Sequence, residues 1–390
     1  MIIKNARIYT MAQNKIIENG YVKITGGVIF AVESMSGYAG DDAYGDPVID
    51  AGGKLLFPGF IDAHTHLGMY EDGLRHEGDD LNEVTDPCTP HLRAIDAINP
   101  IDRTFEEALA AGVTTVATGP GSANPIGGQG AIIRTYGRRI DDMIIKAPAS
   151  VKFALGENPK NCYGSKNEMP ETRMATAAII RENLKKAQKH LDKKNEAANP
   201  DNDTDEPDFD AKNEALLPLI NREICAHFHA HRADDIFTAL RICREFDLRY
   251  VAVHCTEGHL IAQELAQENV RAIVGPTISD RSKPELRNLE LKNAKVLHEA
   301  GVLIAIMTDH PVTPIQYLPY CAALSVKGGL DYYEALRAIT INPAIILGID
   351  DTVGSVEAGK RADLVLHDGN PLEILSNVAL VVAGGEVVGR

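Results

Sequence analysis

Two histidines in the amino-terminal part of the chain have the spacing of paired metal ligands. His64 and His66 follow the apolar residues Phe60 and Ile61 and a Pro58-Gly59 turn. Side chains alternate between the two faces of a strand, so both imidazoles point the same way at the exit of a buried strand. They could therefore share one metal ion, although a His-x-His pair on its own is more often a surface or core pair.

Other predicted strands also end in ionisable residues. These strand ends carry His227, His229 and His231 together, then His254, and then Asp309. Because burying an imidazole or a carboxylate without a partner is costly, their agreement predicts a shared metal site. The set contains no cysteine, which favours a catalytic site over a closed structural one. Histidines with a carboxylate suit Zn²⁺ best, with Fe²⁺, Mn²⁺ or Ni²⁺ as alternatives.

The elements that must position these residues alternate between strand and helix patterns. Strand patterns start at Phe60 and recur at 113–116, 131–135, 151–155, 223–229, 250–254, 272–275 and 302–308; helix patterns include 104–111, 234–246, 259–267 and 285–300. About eight strands in this alternation predict an α/β fold, a (β/α)8 TIM barrel with its chemistry at the carboxyl ends of the strands. A doubly wound sheet is the structural alternative, but it would not gather so many strand ends on one axis.

The two ends of the chain differ from this middle part. Both read as short strands joined by turns, so residues 1–57 and 347–390 are predicted to form one small β-sandwich domain beside a barrel at 58–346. Two segments interrupt the barrel pattern. The polar segment 68–100 is expected to lie over the active-site face, and 185–212 is predicted to be a charged insertion with a solvated, mobile acidic run at 199–208.

Composition limits the classes of partner. The 390 residues are 44% hydrophobic and carry a formal net charge of −16, which argues against nonspecific nucleic-acid binding and against docking on anionic membranes. The expected partner is a small-molecule substrate, and a homo-oligomer is left open. The six cysteines form no C-x-x-C pair, so neither a disulfide framework nor a zinc ribbon is indicated. Without a signal-peptide core or a membrane-length apolar run, the expected location is the cytoplasm.

Three longer motifs carry a family resemblance. Residues 58–66 read PGFIDAHTH, residues 342–344 read NPA, and residues 354–364 read GSVEAGKRADL. They resemble the amidohydrolase superfamily, in particular its imidazolonepropionase-like, metal-dependent members, over essentially the whole chain. The resemblance implies a barrel with an appended β domain and one or two divalent metal ions. It also implies metal ligation by His64, His66, His229, His254 and Asp309.

The fourth barrel strand offers two candidates for a further metal ligand. Binuclear members of the family bridge their metals with a carboxylated lysine or a glutamate. Lys152 has the strand context of that lysine, and Glu157 lies at the exit of the same strand. Both stay open as ligands, and so does a structural role for either.

The resemblance implies metal-assisted hydrolysis of a C–N bond in an amide, a cyclic amide or a peptide-like substrate. Asp309 is expected to accept the proton of the metal-activated water and to deliver it to the leaving nitrogen. Arg232 stands where deaminase-type members have a glutamate, and Gly68 where dihydroorotase-like members have an arginine, which disfavours both reactions. An esterase, lactonase or residual deaminase on this scaffold and a non-catalytic homologue are the alternatives.

Four residues are candidates for substrate binding. His231 and Arg232 follow the fifth-strand ligand and could receive a substrate carboxylate; Arg232 could equally pair with an aspartate at the start of the next helix. Gly128 and Gln129 belong to the glycine-rich segment 119–130, which lets the backbone approach a ligand closely. A plain tight connection is the alternative for that segment.

Overall fold

Two sheets organise the chain, one from its two ends and one from its middle. The computed structural model describes residues 1–13, 16–38, 40, 47–202 and 205–389. In chain order its strands are β1 (Ile2–Tyr9), β2 (Ile16–Thr25), β3 (Val28–Ser34), β4 (Val48–Asp50), β5 (Leu55–Pro58), β6 (Phe60–Thr65), β7 (Val113–Thr118), β8 (Ile126–Arg134), β9 (Ile144–Ala154), β10 (Cys225–Ala230), β11 (Tyr250–His254), β12 (Arg271–Val274), β13 (Leu303–Ile306), β14 (Leu364–His367), β15 (Val378–Ala383) and β16 (Glu386–Gly389).

The helices lie mostly between the strands of the middle part. They are α1 (Arg103–Ala110), α2 (Ile140–Met143), α3 (Glu157–Gly164), α4 (Arg173–Ala198), α5 (Ala211–Ile220), α6 (Ala233–Glu245), α7 (Ala262–Gln267), α8 (Asn293–Glu299), α9 (Leu318–Lys327), α10 (Tyr332–Arg337) and α11 (Ile341–Leu347). Among the described residues, no helix is both long and apolar enough to cross a bilayer.

The first sheet joins the two ends of the chain. Its strand order is β16-β15-β14-β5-β1-β2-β3, and β4 pairs with β1. The ends meet in the antiparallel pair β5–β14, where Leu56 lies opposite Leu366. Both leucines pack in one apolar cluster with Ile8. The prediction of one β structure assembled from both chain ends is confirmed.

The second sheet runs β6-β7-β8-β9-β10-β11-β12-β13 in sequence order. All strands of it are parallel except β8, which is antiparallel to both neighbours. Every residue of β6 and β7 is buried, as expected for strands covered on both faces. The predicted eight strands are present among the described residues, and together with the helices they make a mixed α/β fold.

Strand β8 corrects the sequence reading of the segment 119–130. From Ile126 onward this segment is not a loop but a strand packed against its neighbours. A Cβ on Gly128 would lie 2.4 Å from the backbone oxygen of Leu92, and one on Gly130 would lie 2.8 Å from Ser150 Oγ. The glycines therefore serve close packing here, and strict strand–helix alternation fails at this position.

The sheet is nearly closed because its first and last strands meet. Asp62 Oδ2 on β6 accepts hydrogen bonds from the backbone nitrogen and the hydroxyl of Thr308, just after β13, at 2.9 and 2.6 Å. The backbone N–H of His66 donates to the carbonyl oxygen of His310 at 2.8 Å. We call this contact the β6–β13 seam. An open, doubly wound sheet is therefore not the arrangement found.

Two helix predictions need correction or restriction. The predicted helix at 285–300 is wrong in its first half, because Pro284–Leu286 forms one 3₁₀ turn and α8 begins only at Asn293. The predicted charged helix of the 185–212 insertion is the second half of α4, whose Lys194 pairs with Glu214 of α5 at 2.8 Å. The predicted mobility of the acidic run 199–208 falls partly on residues 203–204, which lie outside the described residues.

Candidate metal centre

His64 and His66 meet Asp309 at the β6–β13 seam. Asp309 Oδ1 lies 3.5 Å from His64 Nε2 and 3.4 Å from His66 Nε2, and all three residues are buried. These separations exceed the usual 2.7–3.2 Å of an N–H···O hydrogen bond. Two donor atoms bound to one tetrahedral ion at ~2.0–2.1 Å lie ~3.3 Å apart, so the spacing fits ligands of a shared cation. We call these three residues the first cluster.

A second cluster consists of His229, His231 and His254. One ligand atom of each lies within 4.8 Å of the others, and all three side chains are buried. His229 is on β10, His231 follows that strand, and His254 ends β11. Residues predicted at the strand ends thus form two neighbouring clusters of possible ligand atoms.

Backbone conformation at this site is unusual. His254 has a φ of +71° and Asp309 a φ of +54°, both in the left-handed region that non-glycine residues rarely occupy. Such conformations cost free energy and persist where the surrounding structure enforces them, which occurs often at functional sites. The turns after β11 and β13 therefore hold these two side chains in orientations that a regular strand ending would not give.

Neighbouring oxygens fix the ring orientation of three histidines. His66 Nδ1 lies 2.7 Å from Gly119 O, His254 Nδ1 lies 3.0 Å from Gly275 O, and His231 Nδ1 lies 2.7 Å from Thr256 Oγ1. A carbonyl oxygen can only accept, so Nδ1 of His66 and of His254 carries the proton. Nε2 then keeps its lone pair toward the cluster, which is the arrangement typical of metal-binding histidines.

The protonation states suit metal ligands as well. Burial lowers the pKa of His64, His229 and His254 well below its usual value and that of His231 to about 4, which keeps the imidazoles neutral. Burial alone would raise the pKa of Asp309, but neighbouring groups, His254 first among them, lower it to about 2. A carboxylate beside neutral imidazoles is the form that binds a divalent cation.

The two fourth-strand candidates lie in different surroundings. Lys152, on β9, is buried with Nζ 2.9 Å from His64 Nε2, and burial lowers its pKa to about 8. Glu157 begins α3, and its backbone N–H donates to Glu285 Oε2 at 3.1 Å. Burial and Glu285 raise the pKa of the Glu157 carboxyl. The structure therefore brings Lys152, rather than Glu157, against the first cluster.

The predicted substrate-binding residues are not gathered at one place. His231 belongs to the second cluster. Arg232 forms a two-point pair with Asp234 at 2.9 and 2.8 Å, the alternative considered from the sequence. Gly128 lies on β8 and lines a cavity of about 410 Å³. The Gln129 side chain on the same strand donates from Nε2 to Ala215 O at 3.3 Å.

No residue of either cluster lines the 410 Å³ cavity. The segment 79–97 and residues around Gly128 line it, together with Pro120. Pro120 also lines a small cavity of about 20 Å³ bounded by His64 and Lys152. The two cavities thus share Pro120 as a lining residue, and the polar segment predicted to cover the active-site face borders the larger one.

Two further buried residues lie near the clusters: His227, one of the strand-end histidines named above, which belongs to neither cluster, and Glu285, which was not among the predicted site residues. His227 shares the small cavity with Lys152, and burial lowers its pKa to about 3. Glu285 lies in the 3₁₀ turn before α8, with Oε1 3.6 Å from His231 Nε2 and 3.9 Å from His229 Nε2. One feature of the sequence could have indicated Glu285. It follows β12, and no ionisable residue had been assigned to the end of that strand.

The chain is similar to several known proteins along most of its length. The family profile described as "Amidohydrolase family" matches residues 55–389. Amidohydrolase tasK of Hapsidospora irregularis is 28% identical over 351 residues, which are 84% of this chain but only 36% of that protein. Imidazolonepropionase of Geobacillus kaustophilus is 27% identical over 425 residues, covering 97% of this chain and 92% of that one. The crystal structure of an amidohydrolase from Thermotoga maritima is 40% identical, with a TM-score of 0.95 over 100% of this chain and 99% of that one.

Proposed function

This chain belongs to the amidohydrolase family, and we propose that it is a metal-dependent hydrolase of a C–N bond in an amide, a cyclic amide or a small peptide-like substrate. The proposed cofactor is one or two divalent ions, Zn²⁺ first because imidazoles dominate the donor set, with Fe²⁺, Mn²⁺ or Ni²⁺ as alternatives. Membership of the family supports hydrolysis of a C–N bond. The metal, the general base and the substrate class are what we propose.

One observation carries the proposal, namely the position of Asp309 Oδ1 between two imidazole nitrogens. It lies 3.4–3.5 Å from His64 Nε2 and His66 Nε2. A carboxylate engaged through one oxygen keeps its second oxygen for proton transfer. This is the arrangement that a ligand which is also a general base requires.

The residues of the site have different proposed roles in hydrolysis. His64, His66 and Asp309 would hold one ion, and Lys152, His229 and His254 are the family's candidates for a second. A bound divalent cation supplies Lewis acidity, which makes water acidic and polarises a carbonyl. Asp309 accepts the proton of the attacking water and returns it to the leaving nitrogen, so the amine departs neutral.

The remaining parts of the proposal concern fold and setting. We infer that the nearly closed sheet is a (β/α)8 barrel with one antiparallel strand at its third position, and that the sheet from the chain ends is the family's appended β-sandwich. A small substrate would occupy the 410 Å³ cavity and reach the clusters past Pro120. All six cysteines are free thiols, which supports a reducing compartment such as the cytoplasm.

The test is a substrate screen on the metal-loaded full-length chain. Purified protein loaded with Zn²⁺ or Mn²⁺ is incubated with dipeptides, N-acyl amino acids and cyclic amides, and product amine is quantified. Parallel arms with esters and lactones, and with amino-heterocycles read as ammonia release, separate the alternative chemistries. Cleavage of an amide or cyclic amide supports the proposal. Activity confined to one of the parallel arms, or no hydrolysis in either metal form, contradicts it.

A further inference from the structure

Glu285 is a buried carboxylate with one oxygen anchored and the other unpaired. Its side chain is 1% exposed. Oε2 accepts a hydrogen bond from the backbone N–H of Glu157 at 3.1 Å. Oε1 has no hydrogen-bond partner among the described residues, although it is fully buried. The anchor on Glu157 therefore leaves Oε1 free and directed at the histidines of the second cluster.

The spacing around Oε1 matches the spacing around Asp309 in the first cluster. Glu285 Oε1 lies 3.6 Å from His231 Nε2 and 3.9 Å from His229 Nε2, where Asp309 Oδ1 lies 3.4 and 3.5 Å from its two histidines. Each carboxylate thus faces a His-x-His pair at separations longer than the usual hydrogen bond. They approach the ~3.3 Å expected between two ligands of one tetrahedral ion.

The burial of Glu285 also calls for a partner to its carboxyl group. A buried carboxylate is stable only when paired or bound to a metal. Two basic side chains in this region have other hydrogen-bond partners: Arg173 donates to both oxygens of Asp235 at 2.9 and 3.1 Å, and Lys283 Nζ donates to Asn158 Oδ1 at 3.0 Å.

His254 can supply a third imidazole to the same place. Its ring centroid lies 4.3 Å from that of His229 and 4.4 Å from that of His231, and its Nδ1 is engaged by Gly275 O, which leaves Nε2 available. Three imidazoles and one carboxylate form a donor set suited to Zn²⁺ or a similar borderline divalent cation.

We propose that His229, His231, His254 and Glu285 form a second cation site, in which His231 and Glu285 are ligands. The inference rests on the proposed function for the presence of a divalent ion, and it adds two ligands that the family resemblance does not supply. His231 is accordingly a ligand rather than a contact for the substrate. The hydrogen bond from the Glu157 N–H, at the start of α3, to Glu285 Oε2 would fix the orientation of the Glu285 side chain in this site.

The test measures bound metal rather than activity alone. Full-length chain, Glu285→Gln and His231→Asn are loaded with Zn²⁺, dialysed against buffered free Zn²⁺, and analysed for zinc per chain. Glu264→Gln, an exposed glutamate on α7, is the matched control. We expect both variants to lose one ion per chain, or to bind it at least tenfold more weakly, while the control keeps the wild-type stoichiometry. Loading with Co²⁺ gives a second readout, a change in the visible absorption of the site.

The outcomes separate this inference from the proposed function. If both variants keep the wild-type zinc content and affinity, the second site as described is wrong, whatever the activity. If the wild-type chain binds no ion, the inference and the metal-dependent function fail together. Circular dichroism checks the fold of each variant, and Glu285→Asp, which keeps the charge but shortens the side chain, replaces Glu285→Gln if that protein is unfolded.

Discussion

Lys152 on β9 and His64 on β6 are buried neighbours, with Lys152 Nζ 2.9 Å from His64 Nε2. The same imidazole nitrogen lies 3.5 Å from Asp309 Oδ1, so the lysine borders the first cluster directly. A buried amine beside a prospective ligand can react with CO₂, losing a proton and gaining a carboxylate. Carboxylation would convert the Lys152 side chain from a basic group into an anionic group able to bind a metal ion.

We expect Lys152→Met to lower turnover by ~10–100-fold, because it removes the group that adjoins His64. Wild-type activity should also fall when the protein is loaded with metal in CO₂-depleted buffer and should recover with bicarbonate. Lys327→Met, at the exposed end of α9, is the control and should behave like wild type. An active Lys152→Met variant would remove the lysine from the mechanism.

Asp309→Asn should leave most of the metal bound while lowering kcat by ~10³-fold, in the usual range for losing a general base. The amide keeps an oxygen for the ion but cannot take a proton from water. Zinc content and steady-state kinetics on the same sample check this. Asp350→Asn, an exposed aspartate, is the control. Substantial turnover by Asp309→Asn would assign the base to another residue.

Removing the metal should destabilise the chain, because ion binding to the folded state alone adds to its stability. At free Zn²⁺ ~1,000-fold above the dissociation constant, the free energy of unfolding should rise by about 4 kcal/mol over that of chelator-treated protein. Thermal unfolding with and without added Zn²⁺ measures the difference. Equal melting temperatures in both conditions would mean that the clusters hold no ion tightly.

Gly128→Ala should lower the free energy of unfolding by about 1–3 kcal/mol, the usual cost of overpacking. The new methyl group would lie 2.4 Å from Leu92 O, so the segment bordering the 410 Å³ cavity must shift. We therefore also expect a higher KM at similar metal content. Gly369→Ala, where the nearest atom is 3.5 Å away, is the control and should be neutral in both measurements. A variant with wild-type stability and KM would contradict the close packing.

His367, the last residue of β14 in the first sheet, makes the stability of the chain sensitive to acid. Burial lowers its pKa to about 4, while in the unfolded chain it titrates near ~6.5. Between these values the unfolded chain binds a proton that the folded chain does not, so stability falls as the pH drops from 6.5 to 4, by about 3 kcal/mol from this residue.

Denaturant unfolding at several pH values measures this contribution. His367→Gln should lose less stability on acidification than wild type, and His76→Gln, an exposed histidine, should follow the wild-type curve. Parallel curves for wild type and His367→Gln would show that the histidine is not buried in its neutral form.

The sequence predicted which residues form the clusters better than how these residues divide between the two clusters. A period of two and an apolar run located His64, His66 and His254, because both signals are local. The direction of β8 depends on contacts of Gly128 and Gly130 with distant segments, which no local pattern records. Glu285 was missed for the same reason, since its burial follows from packing against α3 and β10 rather than from its neighbours in sequence.

The β6–β13 seam has a consequence for how the chain acquires its ligands. Asp62 and Thr308 are 246 residues apart; His64 lies two residues after Asp62, and Asp309 directly follows Thr308. The first cluster therefore exists only in molecules in which the first and last strands of the second sheet have met. An ion bound at the first cluster, as proposed, would thus report on completed folding, and a partly opened chain would carry His64 and His66 without being able to hold that ion.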